Sequence, residues 1–303
     1  IDALVERGIA AEKREDPGAA HTYSKLAFEL ANKATASKAR RIQVSYALAR
    51  ALTGVGQPGR AIELVDQALA LRPADLWSQE TLLQSKIIAL QQLERHEEAL
   101  VLAREAAEIS RKADGESDSG YGIALNVIAW GLFYTGDRVG ALDYRRRALA
   151  VMAGSLSADH SMVTFQRMLV ADDLAANGRF EEAIAEASAV LAVVDRNEST
   201  AAARSEMVTK LGSIKFRSGR FDEGLRLFEE GLDELISQWG QDHPDILPDR
   251  VQRVRFELEL GKLDDAERHM DALERSYRAR NDQALALARL DGAYRAELAI
   301  ARG

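Results

Sequence analysis

The sequence predicts an all-α fold: a right-handed superhelical solenoid of about seven antiparallel helix pairs plus a C-terminal helix. Three observations predict it. Small residues recur at Ala61, Ala99, Ala141, Ala183, Gly224 and Ala266, separated by 38, 42, 42, 41 and 42 positions, a regularity that marks a repeat array. Each anchor is followed seven residues on by Ala68, Ala106, Ala148, Val190, Gly231 or Leu273 and preceded twelve residues back by Ala49, Ile87, Ala129, Ala171, Gly212 or Val254. Positions seven apart share a helical face, and small side chains there let two helices approach closely. Five residues before the anchor stands Gly56, Gly136, Gly178, Gly219 or Gly261, placed to end one helix in a left-handed cap before the next begins.

In chain order, the apolar spacing and these punctuation points place helices near 3–13, 19–34, 37–54, 59–71, 76–93, 96–112, 120–135, 138–153, 160–177, 180–195, 200–218, 221–238, 245–260 and 263–279. A last helix, near 282–301, carries Leu285, Leu287, Leu290, Tyr294 and Leu298 and would cover the apolar side of the final hairpin. The repeats fall near 1–36, 37–75, 76–114, 115–156, 157–197, 198–241 and 242–281, the first recognised only by Ala20 and Ala27, within one array over 1–303. No strand is needed.

Composition narrows the function. Forty basic against 48 acidic residues give a net charge of −8, and no run of Lys and Arg dominates a face, so a phosphate-tracking surface is not expected and no nucleic acid is assigned to this segment. The uncharged stretches fall far short of the ~20 apolar residues of a bilayer span, so no membrane insertion is expected. The absence of Cys removes disulfides, thiolate nucleophiles and Cys-ligated zinc, and suits a reducing compartment. A cytoplasmic location is expected, a periplasmic one being the alternative behind a membrane segment.

The stretch Gly178-Arg179-Phe180-Glu181-Glu182-Ala183 resembles the G-x-[YF]-[DE]-E-A turn of the tetratricopeptide repeat family, and the likeness covers nearly the whole chain. The 38- to 42-residue period is longer than that family's usual 34 and is similar to the elongated subtype of kinesin light chains and bacterial regulators. Asp159-His160-Ser161 and Asp242-His243-Pro244 resemble the D-H-P that opens a helix in that subtype. The resemblance departs at the turn aromatic, replaced by Pro58, His96, Arg138 and Leu263 in four repeats.

Apparent chemical motifs dissolve under inspection. Gly54-x-Gly56-x-x-Gly59 matches a dinucleotide fingerprint but follows a helix rather than a strand, so no cofactor is expected. Asp114-x-Glu116-x-Asp118 begins like a calcium loop, yet Gly120 is one place late and Leu125 stands where the last ligand should be. His96-Glu97-Glu98 lacks the second zinc-ligating His, which is Leu100, so no metal is expected. Asn197-Glu198-Ser199 is a formal glycosylation sequon without secretion evidence, and Arg145-Arg146-Arg147 reads as a solvated helix face with local salt links. With no nucleophile, base and oxyanion donor converging, the chain is expected not to be an enzyme.

The family resemblance implies where a partner binds. Its inner surface is lined by residues 18, 15, 11 and 8 places before the anchor, and the chain's stripe reads Gln43, Tyr46, Arg50, Thr53; Thr81, Gln84, Ile88, Gln91; Ile123, Asn126, Trp130, Phe133; Phe165, Met168, Asp172, Ala175; Glu206, Thr209, Ser213, Phe216; and Pro248, Val251, Arg255, Leu258. The candidate peptide- or partner-binding residues are Arg50, Gln84, Ile88, Asn126, Trp130, Phe133, Phe165, Met168, Asp172 and Thr209. Trp130 and Phe165, with Met168 beside them, are expected to form an apolar anchor pocket, the alternative being that Trp130 and Phe133 pack between adjacent hairpins; Asn126 is expected to pair both ways with a peptide main chain, and Asp172 with Glu206 to favour a basic residue next to the anchor. The implied function is a non-enzymatic protein- or peptide-binding scaffold in the concave groove, part of a larger bacterial signalling or regulatory protein. The alternative is a sensor whose ligand or signalling peptide controls an effector.

Overall fold

The computed structural model describes residues 1–14, 16–34, 36–196, 201–279 and 294–302. Among these no strand is present. The helices are α1 (Asp2–Glu12), α2 (Pro17–Lys33), α3 (Lys38–Gly54), α4 (Pro58–Ala70), α5 (Leu76–Gln92), α6 (His96–Asp114), α7 (Ser119–Tyr134) and α8 (Arg138–Ser155). They continue with α9 (Ser161–Ala176), α10 (Phe180–Arg196), α11 (Ala201–Arg217), α12 (Phe221–Trp239), a 3-10 turn (Pro244–Ile246), α13 (Leu247–Glu259), α14 (Leu263–Ala279) and α15 (Arg295–Arg302). Among the described residues, no helix is long and apolar enough to cross a membrane.

Local chemistry sets the ends. The carboxylates of Asp16, Asp75, Asp118 and Asp137 accept from the backbone N–H of Ala19, Ser78, Gly120 and Gly140, satisfying donors that the first helical turn leaves open. The two D-H segments also act as caps: Nδ1 of His160 accepts from the Met162 N–H at 3.2 Å, and Nδ1 of His243 from the Asp245 N–H at 3.3 Å. Between the helices of a pair, Gly56, Gly136, Gly178, Gly219 and Gly261 all have positive φ. The closing bond after Gly56 runs from the Gln57 N–H to the Leu52 carbonyl at 2.8 Å, and after Gly178 from Arg179 to Leu174 at 2.9 Å. Gly54 and Gly59 thus belong to an ordinary hairpin turn, where no strand precedes.

The chain packs as two compact units, Ile1–Ser157 and Ala158–Gly303. Every anchor alanine is buried: Ala61, Ala141, Ala183 and Ala266 at 0% exposure and Ala99 at 1%. The first unit's core is aliphatic, built from Leu83, Ile87, Leu90, Leu125, Ile128 and Leu132 between alanines. In the second unit Phe216, Phe228 and Phe256 fill the core of α11 to α13, with Phe216 and Phe256 stacked 3.8 Å apart. The α11/α12 pair is the tightest: a Cβ on Gly224 would lie 2.3 Å from the Phe216 backbone nitrogen, and one on Gly212 2.4 Å from that of Phe228.

One expectation changes. Arg145 is not on a solvated face: it is 4% exposed, and its Nη1 donates to Oδ1 of Asn126, while Arg146 and Arg147 are exposed. Three successive residues on a helix point in directions 100° apart, so a run of three cannot share one face. Of the capping residues expected near 282–301, Leu298 is buried and Tyr294 partly buried against Val254, Met270 and Leu273 of the last hairpin. Leu285, Leu287 and Leu290 lie outside the described residues, as does Asn197-Glu198-Ser199.

Candidate functional site

The inner-surface stripe divides cleanly in two. At 18 and 11 places before the anchor no residue is buried, from Gln43 and Arg50 through Ile123 and Trp130 to Pro248 and Arg255; at 15 and 8 places no residue is exposed. Helical geometry explains the split, because positions seven apart diverge by only about 20° while the intervening ones lie about 60–80° round the axis. The second set therefore leans into the seam with a neighbouring helix.

In the first unit the exposed edge of this stripe forms a slot between α5 and α7. Its volume is about 260 Å3. The walls are Ile87, Ile88, Ile123, Val127 and Trp130, joined by the side-chain amides of Gln84, Gln91 and Asn126. Ile88, Ile123 and Trp130 are 48%, 42% and 39% exposed, large apolar side chains left facing solvent. Trp130 meets Tyr134 in a tilted contact at 4.4 Å, and Tyr134 stacks on His96 at 4.7 Å, so the apolar strip runs on to the end of α7. Burial pushes the Tyr134 phenol up in pKa against the pull of the Arg145 guanidinium, keeping it a neutral donor. Phe133 is half-buried against the aliphatic core and makes an edge contact with Tyr134 at 5.4 Å.

Two polar residues of the slot are held in place. Gln84 donates from Nε2 to Glu80 Oε1 at 3.1 Å, and Asn126 accepts from Arg145 through Oδ1. Asn126 therefore shares its amide oxygen, an acceptor with two lone pairs, with Arg145. Arg50 stands apart from the slot: its Nη2 lies 3.0 Å from Glu12 Oε2, and its guanidinium sits 5.7 Å over the Tyr46 ring, which meets the exposed Trp77 edge-on at 6.4 Å.

The second unit departs from the expectation at two residues. Met168 is fully buried and Thr209 is 2% exposed, so neither lines an open surface. Both occupy the position 15 places ahead of the anchor, the one that turns toward the seam. Thr209 donates to the Ser205 carbonyl at 2.9 Å and lies so near α12 that a Cβ on Gly231 would come within 2.3 Å of its hydroxyl. Phe165, 46% exposed, lines a cavity of its own unit, about 200 Å3 in volume, with Val193, Val194, Glu206 and Met207. Asp172 is held 3.4 Å from Lys210 Nζ, and Asp172 raises that ammonium's pKa. Burial pushes Asp249 up to about 6, only partly opposed by Lys210, and also pushes up Glu206.

Ile123 and Gln91, in the stripe but not among the candidate residues, line the slot together with Ile87, which the sequence marks only as a helix-packing position. Tyr134 carried a signal too, as an aromatic one helical turn beyond Trp130. Lys210 and Asp249 carried none, because their roles depend on which helices meet.

No protein-family model matches the sequence, and no curated protein matches it. Solved structures do. The apo form of RapI superposes with a TM-score of 0.73 at 13% identity, over 93% of this chain and 98% of that one. NprR in complex with its cognate peptide NprX gives 0.63 at 13% identity, over 95% and 81%. The nearly identical TPR-like repeats of a putative kinesin light chain from Podosopora anserina give 0.57 at 20% identity, over 65% and 96%. With paired helices, left-handed glycine turns and a 38- to 42-residue period already evident, these likenesses identify the chain as an all-α array with the tetratricopeptide-repeat fold.

Proposed function

We propose that the chain is a non-enzymatic interaction module in which the α5/α7 slot takes an apolar side chain of an extended peptide or partner segment. The observation that carries this reading is the slot itself. Ile88, Ile123 and Trp130 are exposed around a cavity also lined by the amides of Gln84, Gln91 and Asn126, groups that recognise a peptide main chain and perform no acid–base or nucleophilic step. At about 260 Å3 it is smaller than the 300–1,000 Å3 of typical small-molecule pockets and suits a single side chain. The solved NprR complex supports the reading by likeness, since that protein binds its cognate peptide on the same fold.

The test is selection of random 12-residue peptides on the intact chain, followed by affinity measurement against Trp130→Ala. The substitution is expected to weaken the selected peptides by about 2 kcal/mol or more, some thirty-fold, with circular dichroism unchanged. Selected peptides indifferent to Trp130→Ala and to Ile123→Asp would defeat the proposal. A second reading, in which the bound peptide controls an effector in a larger bacterial regulatory protein, draws support from the same NprR complex. It requires a change in small-angle scattering when a selected peptide is added, and identical profiles would count against it.

A further inference from the structure

The cavity beside Phe165 in the second unit is built differently from the slot. Its walls are apolar where Phe165, Val193, Val194 and Met207 meet, and Glu206 of α11 and Asp159 ahead of α9 bring carboxylates to the same lining. No cation among the described residues comes within ion-pair distance of Glu206: Lys210, one turn along α11, points its ammonium at Asp172, and Arg204 is held by Asp195 at 2.9 Å. Asp245 adds a repulsive charge to Glu206, while Asp172, Glu206 and Asp249 all draw on Lys210. The half-buried carboxylate thus lies in a field with too little positive charge, beside a pocket with room for one side chain.

We propose that this cavity receives a lysine or arginine side chain of a bound peptide, the methylene stem lying against Phe165, Val194 and Met207 and the charged end reaching Glu206. Charge complementarity selects the cation, and the aromatic face of Phe165 adds a cation–π contact. An apolar occupant would leave Glu206 desolvated without a partner, which is the costly arrangement. The inference rests on the peptide-binding reading of the fold but on a separate set of residues.

The experiment uses the intact chain with 13C-methyl methionine and follows the Met207 methyl signal during titration with blocked pentapeptides. These carry a central lysine, arginine or norleucine between glycines, norleucine keeping the stem without the charge. Lysine and arginine peptides are expected to shift Met207 with affinities roughly three- to ten-fold above norleucine. That advantage should shrink in high salt and vanish in Glu206→Gln, while Phe165→Leu weakens all three peptides. Equal affinities for norleucine and lysine, or an advantage that persists in Glu206→Gln, would overturn the proposal. The two readings fail separately. Selected apolar peptides that need Trp130, with no lysine effect at Met207, sink this inference alone; a Glu206-dependent lysine effect without any peptide at Trp130 sinks the other.

Discussion

In the first unit the large aromatic side chains Trp130, Tyr134 and Trp77 stand at the surface, 39%, 47% and 62% exposed, over a core of alanine, leucine and isoleucine. In the second, Phe216, Phe228 and Phe256 are inside, none more than 2% exposed, and the equivalents of the first unit's half-buried Gln84 and Asn126 are the buried Met168 and Thr209. The repeat register is the same in both, and at Thr209 the difference lies in how closely α11 and α12 approach. Glycine at positions 212, 224 and 231 brings α11 and α12 into backbone contact, which draws Thr209 into the seam. The first unit's aliphatic core is complete without Trp130 and Tyr134, which leaves them available for a partner, as Phe165 at 46% exposed is in the second unit. This is what favours Trp130 as a binding residue over Trp130 as packing.

The widest test of that contrast is Gly224→Ala, which installs the residue that the other anchors carry. Alanine fits at Ala61, Ala99, Ala141, Ala183 and Ala266, but at 224 its Cβ would sit 2.3 Å from one Phe216 backbone atom and 2.6 Å from another. The helices must part, and the stacked Phe216–Phe256 pair with them. The expected loss is about 3 kcal/mol in urea unfolding. A change below about 0.5 kcal/mol would mean that glycine and alanine are interchangeable there and that close approach does not separate the two units.

The repeat period, the hairpin turns, the His160 and His243 caps and nearly every helix boundary were legible in sequence, because each depends on local rules of spacing and capping. The inner stripe was legible only as a band. Which half of it stays open follows from the small angular offset between Phe165 and Met168 or Ile123 and Asn126, and from neighbours contributed by other helices. Sequence marks Gly224 and Ala183 as the same small residue; only the packed hairpin shows that one tolerates a methyl group and the other requires its absence. Likewise Arg145 looked like part of a solvated run until its helix phase turned it inward to Asn126.

Charge offers a second way to sharpen the comparison, since the first unit's slot is lined by neutral side chains while the second unit holds Asp172, Glu206, Lys210 and Asp249 together. Asp249 titrates at about 6 in the folded chain, against 3.8 for the ordinary group. A carboxyl whose pKa is raised on folding favours the folded state in its protonated form, so that contribution is present below about pH 3.8 and lost as pH rises through 6. Asp249→Asn is therefore expected to be more stable than the parent by about 2 kcal/mol at pH 8, the gain disappearing near pH 4. Urea midpoints across that range measure it, and a pH-independent difference would remove burial of the charge as its cause.

The smallest expected effect concerns the hairpin turn between α5 and α6 in the first unit, which lacks its glycine. Glu94 occupies the place held by Gly56, Gly136, Gly178, Gly219 and Gly261 and adopts φ +60 regardless, with the Arg95 N–H closing the turn on the Leu90 carbonyl at 3.0 Å. A side chain in that region costs about 1 kcal/mol, which the packing of α5 on α6 overrides. Glu94→Gly removes the strain but gives the unfolded chain more freedom, so the net gain should be at most about 0.5 kcal/mol. Because α5 carries Gln84, Ile88 and Gln91, the same substitution also reads out the slot: peptide affinity should be unchanged while the urea midpoint rises. A fall in stability would show that the Glu94 side chain contributes contacts outweighing its backbone strain, and that this turn is not simply a glycine turn with the wrong residue.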